Sequence, residues 1–135
     1  MMSGMRWLLI LPLLFCGCSP YSQEDFRAEG QAKCRQIALL LKHVHSSEDY
    51  EEVEGALKKK FHVIVDLMIA AEKKHHGVST DRANRYNEAL SQELQRIYLL
   101  KGGREWIERC QREPLIRLDT SLQKLRQKRE KAYLK

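Results

Sequence analysis

Apolar side chains recur at intervals of three and four residues along the middle of this sequence, which is the spacing of one face of an α-helix. The longest run consists of Tyr50, Val53, Leu57, Phe61, Ile64, Met68 and Ala71. Acidic residues precede this run and basic residues follow it, so the charges at both ends complement the helix dipole. We therefore expect a helix over about 48–76 that ends at Gly77.

The same spacing predicts helices on both sides of this segment. Ser22 followed by Asp25 resembles a capping box and predicts the start of a helix over about 23–45. A third helix is expected over about 81–100, before the glycines at 102 and 103. Short connections predict that successive helices are antiparallel neighbours.

The last part of the chain predicts one or two more helices. A helix over about 104–113 is interrupted by Pro114, which either kinks it or starts a new helix. Alternating, strand-like patterns are nearly absent. We therefore predict an all-α fold in which residues 23–135 form an antiparallel bundle of four or five helices. The heptad-like spacing also fits a coiled-coil oligomer, but the breaks between the segments favour folding back within one chain.

The N-terminal residues predict an export signal. A single basic residue, Arg6, precedes an apolar run from Trp7 to Phe15. This run is too short to span a bilayer but has the length of the apolar core of a secretory signal.

The stretch 14–18, Leu-Phe-Cys-Gly-Cys, resembles the lipobox of bacterial lipoprotein precursors. Phe15 and Cys16 depart from the usual residues of that motif, whereas Gly17 fits the position before the cut. The resemblance implies a signal peptide over 1–17, a lipidated tether over 18–22, and attachment of diacylglyceryl and acyl groups at Cys18. Ser19 implies sorting to the outer membrane of the bacterial cell envelope in preference to the inner membrane. The alternative is an ordinary secretory signal with incidental cysteines.

Two cysteines remain in the exported body, Cys34 and Cys110. An oxidising compartment permits a disulfide between them. The alternative is that both are small buried apolar side chains. Both interpretations stay open at the level of the sequence.

The final helical segment is strongly basic and is the one feature of the body that predicts a contact surface. The residues that could contact an anionic group are Arg117, Lys124, Arg126, Lys128, Arg129 and Lys131. Such a surface could contact anionic headgroups or an acidic partner, or it could simply be a solvated helix face.

The sequence contains no motif that predicts catalysis, a cofactor or a metal site. The histidine pairs lack the spacing of helical metal ligands, and there is no nucleophile elbow or phosphate-binding glycine loop. We expect a non-enzymatic envelope lipoprotein with a binding, scaffolding or pilot-like assembly role, whose partner is another envelope protein. The alternative, if the lipobox is accidental, is a basic helical protein that binds nucleic acid.

Overall fold

The structure, a computed structural model, describes residues 22–75 and 88–134. These residues form four α-helices and no strand, which confirms the all-α prediction. The helices are α1 (Gln23–Leu41), α2 (Tyr50–Lys74), α3 (Glu88–Tyr98) and α4 (Gly103–Tyr133), and a short 3₁₀ helix, Ser47–Asp49, precedes α2. The beginning of the predicted third helix and the predicted stop at Gly77 lie outside the described residues.

Local hydrogen bonds fix the beginnings of α1 and α2. The predicted capping box is present, because the backbone N–H of Asp25 donates to Ser22 Oγ at 3.1 Å and the N–H of Ser22 donates to Asp25 Oδ2 at 3.2 Å. Before α2, Asp49 Oδ2 accepts hydrogen bonds from the N–H groups of His45 and Ser46. These two donors hold the pKa of the Asp49 carboxyl below its usual value.

The sequence left open whether Pro114 kinks the last helical segment or starts a new helix, and no new helix starts there. One helix, α4, runs through Pro114 from Gly103 to Tyr133. Proline removes one helical hydrogen bond and crowds the preceding turn. The Pro114 ring is fully buried on the core side of α4, and this packing offsets the loss.

The four helices form a closed ring of neighbours. α1 packs on α2, α2 on α4, α4 on α3, and α3 on α1. The short turn makes α1 and α2 antiparallel neighbours, as predicted. Among the described residues, the extensive contacts of α3 are with α1 and α4 and not with α2, which differs from the expectation that successive helices are neighbours. The most extensive contact joins α2 and α4, which are parallel to each other.

A tight turn between α3 and α4 sets the position of α4. Gly102 has a φ of 67°, in the left-handed region that favours glycine. Gly103, the first residue of α4, lies against the backbone of Ile97, and a Cβ at Gly103 would overlap the Ile97 carbonyl oxygen. The turn therefore requires glycine at both positions, for two different reasons.

The main hydrophobic core lies towards the end of the bundle that contains this turn. Tyr50 and Trp106 stack with ring centroids 4.5 Å apart, and the Tyr50 hydroxyl donates to the carbonyl of Lys101 at 2.8 Å. The core consists of Ile37, Leu41, Val44, Tyr50, Val53, Leu57, Phe61, Ile97, Trp106, Ile107 and Cys110. Leu118 is the last buried residue of α4, so the final four turns of this helix contribute little to the core.

Candidate binding surface of the C-terminal helix

The predicted lipid attachment residue, Cys18, lies outside the described residues, so its role stays a prediction. The first described residue is Ser22, which caps α1. Only three residues separate Cys18 from this cap. A chain extends at most about 3.5 Å per residue, so Ser22 lies within about 14 Å of Cys18.

Three arginines of α4 pair with α2 at regular intervals. Arg109 contacts Glu54 at 2.9 Å, Arg117 contacts Asp66 at 2.6 Å, and Arg129 contacts Glu72 at 2.9 Å. Arg117 also donates to the carbonyl oxygen of His62 at 2.9 Å. Partners 51 to 57 residues apart run in the same order along both helices, so α2 and α4 are parallel.

The sequence predicted that six basic residues form one contact surface, but these ion pairs separate them into two that are paired with α2 and four that are not. Arg117 and Arg129 are partly buried and hold α4 against α2, so they contribute mainly to the structure of the bundle. The other four are exposed and form no ion pair with any described residue; they are Lys124, Arg126, Lys128 and Lys131. The candidate surface is therefore smaller than predicted and lies on the last third of α4.

Contacts between helix ends place this surface beside the beginning of α1. The Phe26 and His75 rings meet edge to face with centroids 5.9 Å apart, which joins the start of α1 to the end of α2. Arg129 joins the end of α2 to the end of α4 through Glu72. We call this region, residues 22–28, 70–75 and 124–134, the basic end. It contains eight Lys and Arg residues and four Asp and Glu residues, a net charge of +4.

The opposite end of the bundle has the opposite charge. It contains the α1–α2 turn and the α3–α4 turn, which Arg96 joins by donating to the carbonyls of Val44 and Leu41. We call residues 42–54 and 98–109 the acidic end. It contains seven Asp and Glu residues and four Lys and Arg residues, a net charge of −3. Among the described residues, the formal charge is therefore positive at one end of the bundle and negative at the other.

The two body cysteines are free, and no disulfide joins Cys34 to Cys110 in the structure. Cys34 lies half-buried on α1, whereas Cys110 is buried in the core on α4. These helices lie across the ring from each other and share no extensive contact, which accounts for the unpaired state. Burial, with a smaller contribution from Glu54, raises the pKa of Cys110 to about 11, and burial also raises the pKa of Cys34. Both thiols are thus protonated at neutral pH and are weak nucleophiles.

The described residues offer little for chemistry at an enclosed site. Within residues 22–75 and 88–134, no group of three or more His, Cys, Asp or Glu side chains could hold a metal ion. A shallow open groove of about 270 Å³ is lined by Lys33, Gln36, Ala56, Lys59, Lys60 and Val63. Its polar side chains are amide or basic, so the groove lacks a carboxylate or imidazole base.

Comparisons with known proteins gave no relationship. No family model, no curated protein and no solved structure matches this chain. None of the helices that the structure describes is both long enough and apolar enough to cross a membrane.

Proposed function

We propose that this chain is a small lipoprotein of the bacterial cell envelope, anchored through Cys18, and that its helical bundle has a non-catalytic binding, scaffolding or pilot-like assembly role. The observation that carries the proposal is the lipobox-like stretch 14–18 followed closely by a capped helix. The outer membrane is the proposed location because Ser19 follows the cysteine.

The short tether supports an anchoring role for the N-terminus. A lipoprotein terminus carries two or three acyl chains, and each buried methylene contributes about 0.8 kcal/mol to membrane binding. Stable attachment needs about two such chains, so dissociation from the bilayer would be negligible. A body that begins within about 14 Å of its lipid remains next to the membrane surface.

The surface of the bundle supports a binding role in preference to a catalytic one. The core side chains are packed, and the two thiols are protonated at neutral pH. The exposed features are the charged ends and isolated apolar side chains such as Leu99, which is 88% exposed at the acidic end. An envelope protein that meets the acidic end, away from the anchor, is the partner that fits this arrangement.

Metabolic labelling with an alkyne fatty acid tests the anchor directly. We expect the wild type to incorporate the label and Cys18→Ala to lose it, because only a thiol at position 18 can form the lipid thioether. Cys16→Ala is the matched control and should keep the label, since it removes the neighbouring cysteine but leaves the attachment residue. Unchanged labelling of Cys18→Ala would refute the proposal.

A second measurement addresses the partner. Crosslinking of the anchored protein in its own membrane should recover a specific envelope protein. If Cys18 carries no lipid and the protein instead binds nucleic acid in a salt-sensitive manner, the nucleic-acid alternative replaces the proposal.

A further inference from the structure

We infer that the basic end of the bundle binds the anionic phospholipid headgroups of the membrane that holds Cys18, and that this contact orients the bundle with its acidic end pointing away from the bilayer. The inference deepens the proposed function and rests on lipid attachment at Cys18. The observation that carries it is that α1 begins at the same end of the bundle at which the unpaired basic residues of α4 are found.

The contacts between helix ends establish this arrangement. Ser22 begins α1 only four residues after Cys18, and Phe26 contacts His75 at the end of α2. Arg129 then contacts Glu72, one turn before the end of α2. The last turns of α4 therefore lie at the same end of the bundle as Ser22, and Ser22 is within about 14 Å of the lipid-bearing residue. The tether lets this end of the bundle approach the membrane surface, and the attraction acts once the lysines come within about 8 Å of the headgroups at physiological ionic strength.

The exposed lysines of α4 are arranged in a way that suits contact with a membrane surface. Lys124, Lys128 and Lys131 follow one another at intervals of four and three residues, which places them on one side of α4. All three are exposed and make no ion pair with the described residues. Tyr133 and Leu134, 91% and 88% exposed, follow them at the tip of the helix. Lysines with a terminal aromatic and an apolar side chain suit the polar and interfacial layers of a bilayer.

The charge at the other end favours the same orientation. α2 has 25 residues, so the basic and acidic ends are separated by about 37 Å. An anionic surface attracts the basic end, with its net charge of +4, and repels the acidic end, with its net charge of −3. Phospholipid is favoured over an acidic protein as the occupant because the tether keeps headgroups permanently beside these lysines, whereas a protein must arrive by diffusion.

Protection of lysines from a membrane-impermeant acetylating reagent tests the inference. The lipidated full chain is reconstituted into phosphatidylcholine vesicles with and without about 30% phosphatidylglycerol, and acetylation of each lysine is followed by mass spectrometry. We expect about fivefold slower acetylation of Lys124, Lys128 and Lys131 on the anionic vesicles, the factor that corresponds to about 1 kcal/mol per basic residue near an anionic surface. The effect should disappear at 1 M salt.

Three lysines outside the basic end are internal controls in the same molecule. Lys42, Lys59 and Lys101 are exposed and should react equally on both kinds of vesicle. Equal acetylation of Lys124, Lys128 and Lys131 on both kinds of vesicle would overturn the inference. Protection of these lysines that arises only when an envelope protein is added would also overturn it, in favour of an acidic protein partner.

Charge reversal provides a matched pair of variants. Lys73, an exposed residue of the basic end, should also be protected in the wild type. In Lys124→Glu/Lys128→Glu/Lys131→Glu it should lose this protection, because the basic end no longer binds the surface. In Lys42→Glu/Lys59→Glu/Lys101→Glu, which has the same change in net charge, protection of the basic end should persist. A wild-type protein without fatty-acid label, or unchanged labelling of Cys18→Ala, refutes the anchor itself, whereas a labelled protein with unprotected lysines refutes only the headgroup contact.

Discussion

Substituting alanine for glycine at positions 55, 102 and 103 should change stability in three different ways. Gly55 is exposed within α2, and a Cβ there would meet nothing within 4 Å. Gly102 also has open space, but its φ is 67°. At Gly103 the added Cβ would overlap the Ile97 carbonyl oxygen and lie 2.8 Å from the Ile97 carbonyl carbon. The carbonyl belongs to the backbone and cannot rotate away.

The magnitudes follow from these environments. Gly55→Ala should stabilise the protein by about 0.5–1 kcal/mol, since alanine loses less conformational entropy in a helix. Gly102→Ala should destabilise it by about 1 kcal/mol, because the cost of about 1–2 kcal/mol for a left-handed residue is partly offset by a less flexible unfolded chain. Gly103→Ala should cost about 3 kcal/mol or more, since the hydrogen bond from the Leu100 N–H to the Ile97 carbonyl, 2.9 Å long, must also shift.

Thermal unfolding monitored by circular dichroism measures all three variants against the wild type. A change of 1 kcal/mol shifts the Tm of a domain of this size by roughly 4 °C. We therefore expect a Tm about 3 °C higher for Gly55→Ala, about 4 °C lower for Gly102→Ala and more than about 10 °C lower for Gly103→Ala. If Gly103→Ala unfolds within about 2 °C of the wild type, the close approach of α3 and α4 is refuted. The position of α4, on which the basic end depends, would then need revision.

Two further predictions concern α4. Arg117→Ala should lower the free energy of unfolding, measured in urea, by about 1–2 kcal/mol, because it removes a half-exposed ion pair and a hydrogen bond to a backbone carbonyl. The control Lys124→Ala should change this free energy by less than about 0.5 kcal/mol. Equal effects of the two substitutions would contradict the assignment of Arg117 to the bundle structure and of Lys124 to the exposed surface. Burial raises the pKa of Cys110 from an ordinary 9.0 to about 11, so the unfolded chain loses the thiol proton at a lower pH than the folded protein does. The free energy of unfolding should therefore fall between about pH 9 and pH 11, by less than about 1.4 kcal/mol per pH unit. In urea unfolding, the free energy of unfolding of Cys110→Ala should fall less steeply with pH over this range than that of the wild type. An unchanged dependence on pH would refute the raised pKa of Cys110.

Local features of the fold could be predicted from the sequence. The apolar spacing from Tyr50 to Ala71 predicted a helix over about 48–76, and α2 runs from Tyr50 to Lys74. The Ser22 and Asp25 side chains predicted the beginning of α1 correctly because capping depends on residues three positions apart. The predicted end of α1 near position 45 was too late, since α1 ends at Leu41 and Asp49 binds the backbone of the turn.

Long-range features could not be predicted in the same way. Arg117 and Arg129 were grouped with the solvent-exposed basic residues because their acidic partners lie on α2, more than 50 residues earlier. No local pattern reports which helices become neighbours, so the α2–α4 contact and the separation of Cys34 from Cys110 emerged only from the fold. The sequence left open whether a new helix starts at Pro114 for a related reason, since its buried packing depends on the surrounding helices.

The uneven position of the core has a consequence for local opening. The large buried side chains lie towards the acidic end. Among the described residues, the half of the bundle nearer the basic end is held mainly by Phe26, Val65, Ala71, Leu118 and the Arg129–Glu72 pair. Among the described residues, fewer buried side chains hold the first turns of α1 than hold its last turns, so local opening of α1 should begin at Ser22. The first turns of α1 should therefore open at a lower free-energy cost than the Tyr50–Trp106 region.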